Sequence, residues 1–278
     1  MINSIKDTTT LHNGVKMPRL GLGVYKMEDN EQAVESIKHA VKTGYRSIDT
    51  AAIYKNEKAV GAGIKECGLP REELFITTKV WNSDQGYQST LDAFETSLDK
   101  LGLDYVDLYL IHWPVAESYK ETWKAMEKLY EEGKVKAIGV CNFHQHHLED
   151  LLKDARIKPM VNQIELHPNL NQEALRAYCQ TQQIAVEAWS PLARGRLLND
   201  PQLKQIAEKH GKTVAQVILR WDLQHDIITI PKSVKPHRIE ENADLFDFAL
   251  SDEEMATIDR MNTNERAGQD PDNFHFDF

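Results

Sequence analysis

Cysteine is scarce in this chain: 3 in 278 residues, Cys67, Cys141 and Cys179, far apart and odd in number. There is no CxxC pair and no zinc-like Cys/His spacing, which argues against a disulfide framework or a zinc module and for a reduced, cytoplasmic chain. No apolar run approaches the roughly 18 residues of a membrane span. The first residues, MINSIKDTTT, lack an apolar core, so no signal peptide is expected. Positive charge is in deficit, with 33 Lys plus Arg against 43 Asp plus Glu, a net −10. A chain of this balance has no bulk electrostatic reason to bind nucleic acid, although a local basic patch could hold phosphate. What is present is ordinary for a globular protein. Hydrophobic residues make up 41% and charged residues 27%, enough to bury a large core. No repeat, low-complexity stretch or linker divides residues 1–278, so one domain is expected.

Eight short apolar runs rich in β-branched and aromatic residues read as strands: Arg19–Val24, Tyr45–Asp49, Leu74–Lys79, Val106–His112, Val135–Asn142, Met160–Leu166, Ile184–Ser190 and Ile227–Pro231. Helical spacing fills the gaps between them. Val34, Ile37 and Val41 share a face, as do Leu91, Phe94, Leu98 and Leu101, and Val214, Val217, Ile218 and Trp221. The last helix should begin near Thr213, with a separate short one around Leu203–His210. Eight strands alternating with helices predict a closed (β/α)8 barrel, with an open doubly wound sheet as the competitor. That competitor normally carries GxGxxG after its first strand. Gly21-Leu22-Gly23-Val24-Tyr25-Lys26 lacks the third glycine. Asn13-Gly14 signals a hairpin ahead of the barrel. Beyond Asn262 a short polar tail ends Phe274-His275-Phe276-Asp277-Phe278, aromatics that should pack on something.

A barrel carries its active site at the C-terminal ends of its strands. Strand 2 ends in Asp49, with Tyr54 just beyond; strand 3 ends in Lys79; strand 4 ends in His112. Singly, each has a bland reading: a helix cap, a solvated lysine, a satisfied core histidine. Adjacent parallel strands lie about 4.8 Å apart, so the three side chains must converge, and Asp49 and Lys79 are natural partners. A lysine near Tyr54 favours loss of the phenolic proton, the carboxylate keeps the lysine charged, and a histidine can hydrogen-bond the same substrate oxygen. The set suits proton donation to an oxygen gaining charge, as when a carbonyl receives hydride. It suits metal hydrolysis poorly, because Lys and Tyr are not the usual ligands. His144, His146 and His147 open a surface helix and are not read as a metal site. Lys232, Lys235, His237 and Arg238 form a basic cluster after strand 8, where barrels often bind phosphate.

These stretches closely resemble the aldo-keto reductase family: Tyr45–Ala51 with Tyr54, Ile76–Lys79, Asp107–Pro114, Ile138–Phe143 and Ile230–Val234 match it in order over nearly the whole chain. Tyr54–Glu57 and Glu187–Leu192 are most similar to short bacterial members that reduce glyoxal, methylglyoxal or 2,5-diketogluconate. The resemblance implies a catalytic tetrad of Asp49, Tyr54, Lys79 and His112, with Tyr54 as general acid, and NADPH/NADP+ as cofactor. It implies that Asn142 and Gln163 hold the nicotinamide carboxamide and that Trp189 stacks on the ring. Ser190, Leu192 and Gly195 would wrap the pyrophosphate. Lys232, Ser233, Val234 and Arg238 would grip the 2′-phosphate, and Glu241 and Asn242 the adenine. Tyr25, Trp81, His112 and Trp113 would form the substrate pocket, left open by short flanking segments. Cys141 stands where the family usually has serine, which weakens one carboxamide contact. The implied protein is a monomeric reductase of small carbonyl compounds with no nucleic-acid or membrane partner. Two rivals are a metal-dependent hydrolase, for which no His-x-His ends strand 1, and a non-enzymatic NADPH-binding sensor or partner subunit.

Overall fold

The computed structural model describes residues 2–276. Its centre is an eight-stranded parallel barrel, with strands β3 (Gly21–Gly23), β4 (Ser47–Asp49), β5 (Phe75–Val80), β6 (Val106–Ile111), β7 (Val135–Cys141), β8 (Val161–Glu165), β9 (Ala185–Trp189) and β10 (Ile228–Thr229). Each pairs with the next in sequence from β3 to β10. The seam is closed by a parallel bridge between Leu20 and Thr229 and by the Gly23 amide, which donates to the Pro231 carbonyl at 3.2 Å. A Cβ on Gly23 would lie 2.8 Å from the Ile230 carbonyl oxygen, so only glycine lets the first and last strands meet. All eight expected strands are present, shorter by a residue or more at most of their ends. The closed barrel prevails over the open sheet.

The outer helices are α1 (Glu31–Thr43), α2 (Glu57–Glu66), α3 (Tyr87–Leu101), α4 (Tyr119–Glu131), α5 (Gln145–Leu152), α6 (Glu173–Thr181), α7 (Pro201–His210), α8 (Val214–Gln224), α9 (Pro236–Ala243) and α10 (Asp252–Asp259). Their boundaries follow capping chemistry. Asn30 accepts from the Gln32 amide to start α1, and Gly44 at φ 120° stops it. Thr213 and Gln216 form a reciprocal capping box at the start of α8, and α7 is the separate short helix before it. Val34, Ile37 and Val41 face the core, as their spacing predicts. No helix among the described residues is long and apolar enough to cross a membrane.

Strands β1 (Thr8–Thr10) and β2 (Lys16–Pro18) form the expected hairpin, with Gly14 at φ 90° in its turn. Its Asn13 amide donates to the Lys136 carbonyl, and the His12 ring lies 3.2 Å from the Lys158 and Pro159 carbonyls. These contacts sit where β7 and β8 begin, so the hairpin covers the N-terminal end of the barrel and leaves the C-terminal end open.

Candidate active site

The open end holds a cleft of about 940 Å³. Its floor is a buried polar chain. The Lys79 ammonium donates to Asp49 Oδ1 at 2.5 Å and to the Thr50 carbonyl at 2.8 Å. Asp49 Oδ2 accepts from Gln163 Nε2 at 2.7 Å, and the same nitrogen donates to Glu187 Oε2 at 2.8 Å. None of these four side chains exceeds 2% exposure. They come from β4, β5, β8 and β9, so the barrel interior rather than any loop fixes their spacing.

Tyr54 sits in a single 3-10 turn just beyond β4. Its ring lies 5.1 Å from the Lys79 ammonium and 5.7 Å, edge-on, from the His112 ring. Lys79 pulls the phenol down, as the sequence argument expects. Burial pushes it up by more, so the hydroxyl holds its proton more tightly than a free tyrosine. Burial alone would lower Lys79, but Asp49 outweighs it together with other neighbours, and the ammonium stays charged. His112 is pushed well below the usual histidine range by burial and by Lys79. At neutral pH the site therefore presents a protonated phenol, a neutral imidazole and a fixed ammonium, a set able to protonate an oxygen on which charge is developing.

The walls contain most of the residues singled out from sequence. Asn142, at φ 61°, donates from Nδ2 to the His112 carbonyl at 3.0 Å and accepts from Trp189 Nε1 at 2.8 Å. Ser190, Leu192, Gly195, Lys232 and Arg238 line the cleft, as do Tyr25, Trp81 and Trp113. Ser233, Val234, Glu241 and Asn242 stand outside the wall. Ser233 Oγ accepts from the Lys235 amide, Val234 packs on the core, Glu241 accepts from the Thr213 hydroxyl and Asn242 is buried. Cys141 is also absent from the wall: it is 1% exposed, and burial pushes its thiol up.

The expectation of an open pocket needs correction. The tail returns across the mouth: Phe274 and Phe276 each lie 5.1 Å from the Trp113 ring, and Phe276 lies 5.2 Å from Trp81. Phe278 lies outside the described residues. The tail is anchored at buried Glu165, which accepts from the Ala267 and Gly268 amides and faces the His167 ring at 2.9 Å. A second anchor involves the three histidines. His144 and His147 cap α5 reciprocally, His147 Nδ1 accepting from the His144 amide at 3.0 Å. The Nε2 of His147 is thus the protonated nitrogen, 3.4 Å from Asp272; His146 lies 2.6 Å from the same carboxylate and His144 3.3 Å from Asp270. The cluster forms a hydrogen-bonded clasp on the tail, and in each of two groups, His146, His147 and Asp272, and His144, Asp270 and Asp272, the potential ligand atoms lie within 4.8 Å of one another.

Sequence reasoning missed Lys26 and Arg194 in the wall. Both have left-handed backbones, at φ 59° and 56°, and no strand-end rule places them. It also missed Glu187, although an acid in the middle of Ala185-Val186-Glu187-Ala188-Trp189 was a visible anomaly.

A parallel barrel with a Tyr–His pair above a buried Lys–Asp pair defines a class of barrel oxidoreductases. The chain belongs to the aldo/keto reductase family, whose model matches residues 19–263. It is 66% identical to the glyoxal reductase of Bacillus subtilis over 276 residues, covering 99% of this chain and all of that one. It is 48% identical to the methylglyoxal reductase DkgA of Escherichia coli over 268 residues, covering 95% and 96% of the two chains. Among solved structures, a Gox0644 mutant in complex with NADPH superposes with a TM-score of 0.93 at 45% identity, covering 99% of this chain and all of that one.

Proposed function

We propose that this reductase uses NADPH to reduce small aldehydes, ketones and dicarbonyls of the glyoxal and methylglyoxal type, with Tyr54 as the general acid. The observation that carries this reading is the Tyr54–His112 pair held at the cleft floor over the Lys79–Asp49 ion pair. The fit to the cofactor rests on four cations, Lys26, Arg194, Lys232 and Arg238, that line one cleft in a chain of net charge −10. None of the four has an acidic partner within salt-bridge distance among the described residues. Lys232 is pushed down first by burial and then by Lys26, a repulsion that a phosphate between them would relieve. Asn142 keeps one N–H and one lone pair for a carboxamide, Gln163 keeps its Oε1, and Trp189 offers a ring beside them.

Bound NADPH supplies hydride to the substrate carbonyl carbon. The chain's own part is to hold the carbonyl oxygen between Tyr54 and His112. Neutral His112 donates a hydrogen bond, and Tyr54 delivers the proton as the oxygen becomes an alkoxide. Lys79 lowers the energy of the phenolate left behind, and Asp49 keeps Lys79 charged and in place. Trp81, Trp113 and the tail phenylalanines narrow the opening to small substrates. Similarity to reductases of two dicarbonyls supports that choice of substrate. The test is NADPH oxidation followed across a panel of dicarbonyls, aldehydes and keto-sugars. Small dicarbonyls should give the highest kcat/KM. Tight NADPH binding without turnover of any panel member would favour the sensor reading instead.

A further inference from the structure

Glu187 belongs to none of the roles above, yet it is wholly buried and sits one hydrogen bond from the cleft. On β9 it is the register partner of Gln163 on β8, so the two side chains project to the same side of the barrel wall. Gln163 is in turn the register partner of Cys141 on β7. A carboxyl group buried in a barrel interior has to be justified by its contacts. Glu187 makes one: its Oε2 accepts from Gln163 Nε2, and its Oε1 has no hydrogen-bond partner among the described residues.

That one contact completes a pattern. An amide nitrogen carries two hydrogens. The two on Gln163 go to Asp49 and to Glu187, on opposite sides. Two acceptors fix the plane and sense of an amide, whereas one acceptor only hinges it. We infer that Glu187 is a positioning residue: by holding the second hydrogen of Gln163 Nε2, it obliges Gln163 to present Oε1, an acceptor only, to the nicotinamide carboxamide. This rests on the proposed cofactor reading, in which Gln163 faces that group. The chemical consequence is selectivity for a ring substituent that donates, a carboxamide NH2, over one that cannot. It also separates two tasks that would otherwise fall on Asp49. Asp49 holds Lys79 through Oδ1 and Gln163 through Oδ2, and without Glu187 the amide could pivot about Asp49 and turn a freed N–H toward the cleft. Burial and the nearby Asp49 push the Glu187 carboxyl up to about 8, which agrees with a neutral acid that accepts through Oε2 at physiological pH.

The test compares binding of NADPH with binding of its 3-acetylpyridine analogue, in which a methyl group replaces the carboxamide NH2. Wild-type protein should bind NADPH more tightly by up to about tenfold, the worth of one neutral hydrogen bond. Glu187→Met keeps the length of the side chain and removes the acceptor; it should narrow that ratio to less than about twofold. Glu187→Gln restores a carbonyl acceptor and should recover the wild-type ratio. Should the methionine variant fail to fold, Glu187→Asp withdraws the acceptor by one methylene while staying polar, and should narrow the ratio in the same direction. A merely structural role predicts lower Tm and parallel losses for both cofactors, with the ratio unchanged. An unchanged ratio in the folded variants, or equal binding of the two cofactors by the wild type, overturns the inference. Failure of the wild type to bind NADPH at all would instead remove the cofactor reading on which it stands.

Discussion

Lys79 Nζ and Asp49 Oδ1 lie 2.5 Å apart with both side chains shut away from solvent, one from β5 and one from β4. Asp49 uses its other oxygen on Gln163, so it serves two donors at once. Asparagine cannot do this, because its amide nitrogen would face a donor. Asp49→Asn should lower Tm, since breaking one side of a buried pair costs about 3–5 kcal/mol. It should also slow the chemical step by leaving Lys79 and Tyr54 in an altered field. Melting and single-turnover kinetics on the folded fraction separate the two effects. A variant that melts early yet reduces carbonyls at the wild-type rate would leave Asp49 with a purely structural task.

Tyr54→Phe removes one hydroxyl from a ring that remains packed beside Tyr25 and His112. Turnover should fall by about 10²–10⁴, the range for loss of a general acid, while NADPH affinity changes little. Retention of more than half the wild-type kcat would assign the proton to another group.

Much of this floor was legible in the sequence because a barrel turns strand ends into neighbours. Asp49, Lys79 and His112 close apolar strands, and alternation aims their side chains inward. The rest depends on contacts between residues distant in the chain. The tail is held by Glu165, whose partners Ala267 and Gly268 lie about a hundred residues on, and no local pattern predicts that meeting. Its aromatics were expected to pack somewhere, but not over Trp81 and Trp113. The direction of the lysine's pull on Tyr54 is legible in the sequence, but the net shift is not. The sequence names the neighbouring lysine but not the depth of burial, and burial wins.

Arg238, on α9, lines the cleft and has no acidic partner within salt-bridge distance among the described residues. If it grips the 2′-phosphate, Arg238→Ala should weaken NADPH by roughly 1.5–3 kcal/mol, the value of a charged hydrogen bond, and NADH hardly at all. Titrations of both cofactors check this; equal losses would move Arg238 off that phosphate.

The Glu187 carboxyl, held up near 8 by burial first and Asp49 second, makes stability depend on pH. A folded-state value above the unfolded one means that the protonated carboxyl is favoured by folding. This advantage is complete at acid pH and is lost as pH climbs from about 4.5 toward about 8, each unit being worth up to about 1.4 kcal/mol. Glu187→Gln abolishes that titration. The Tm of the variant minus that of the wild type should therefore grow across this window and level off above it. A difference that stays flat from about pH 5 to about pH 9 would mean that Glu187 is already ionised in the fold.

The side chain of Asn142 reaches the backbone beside His112 on one side and the indole of Trp189 on the other. In the proposed reading the first borders the substrate and the second the cofactor, so one amide is the mortar between two bricks. Anyone redesigning the pocket for a bulkier carbonyl will meet this joint. Moving the His112–Trp113 segment outward drags Asn142 with it and unseats Trp189, so a change meant only for substrate scope reappears as a weaker grip on the coenzyme. Variation at Tyr25, which packs on Tyr54 and not on this joint, leaves more freedom to drift.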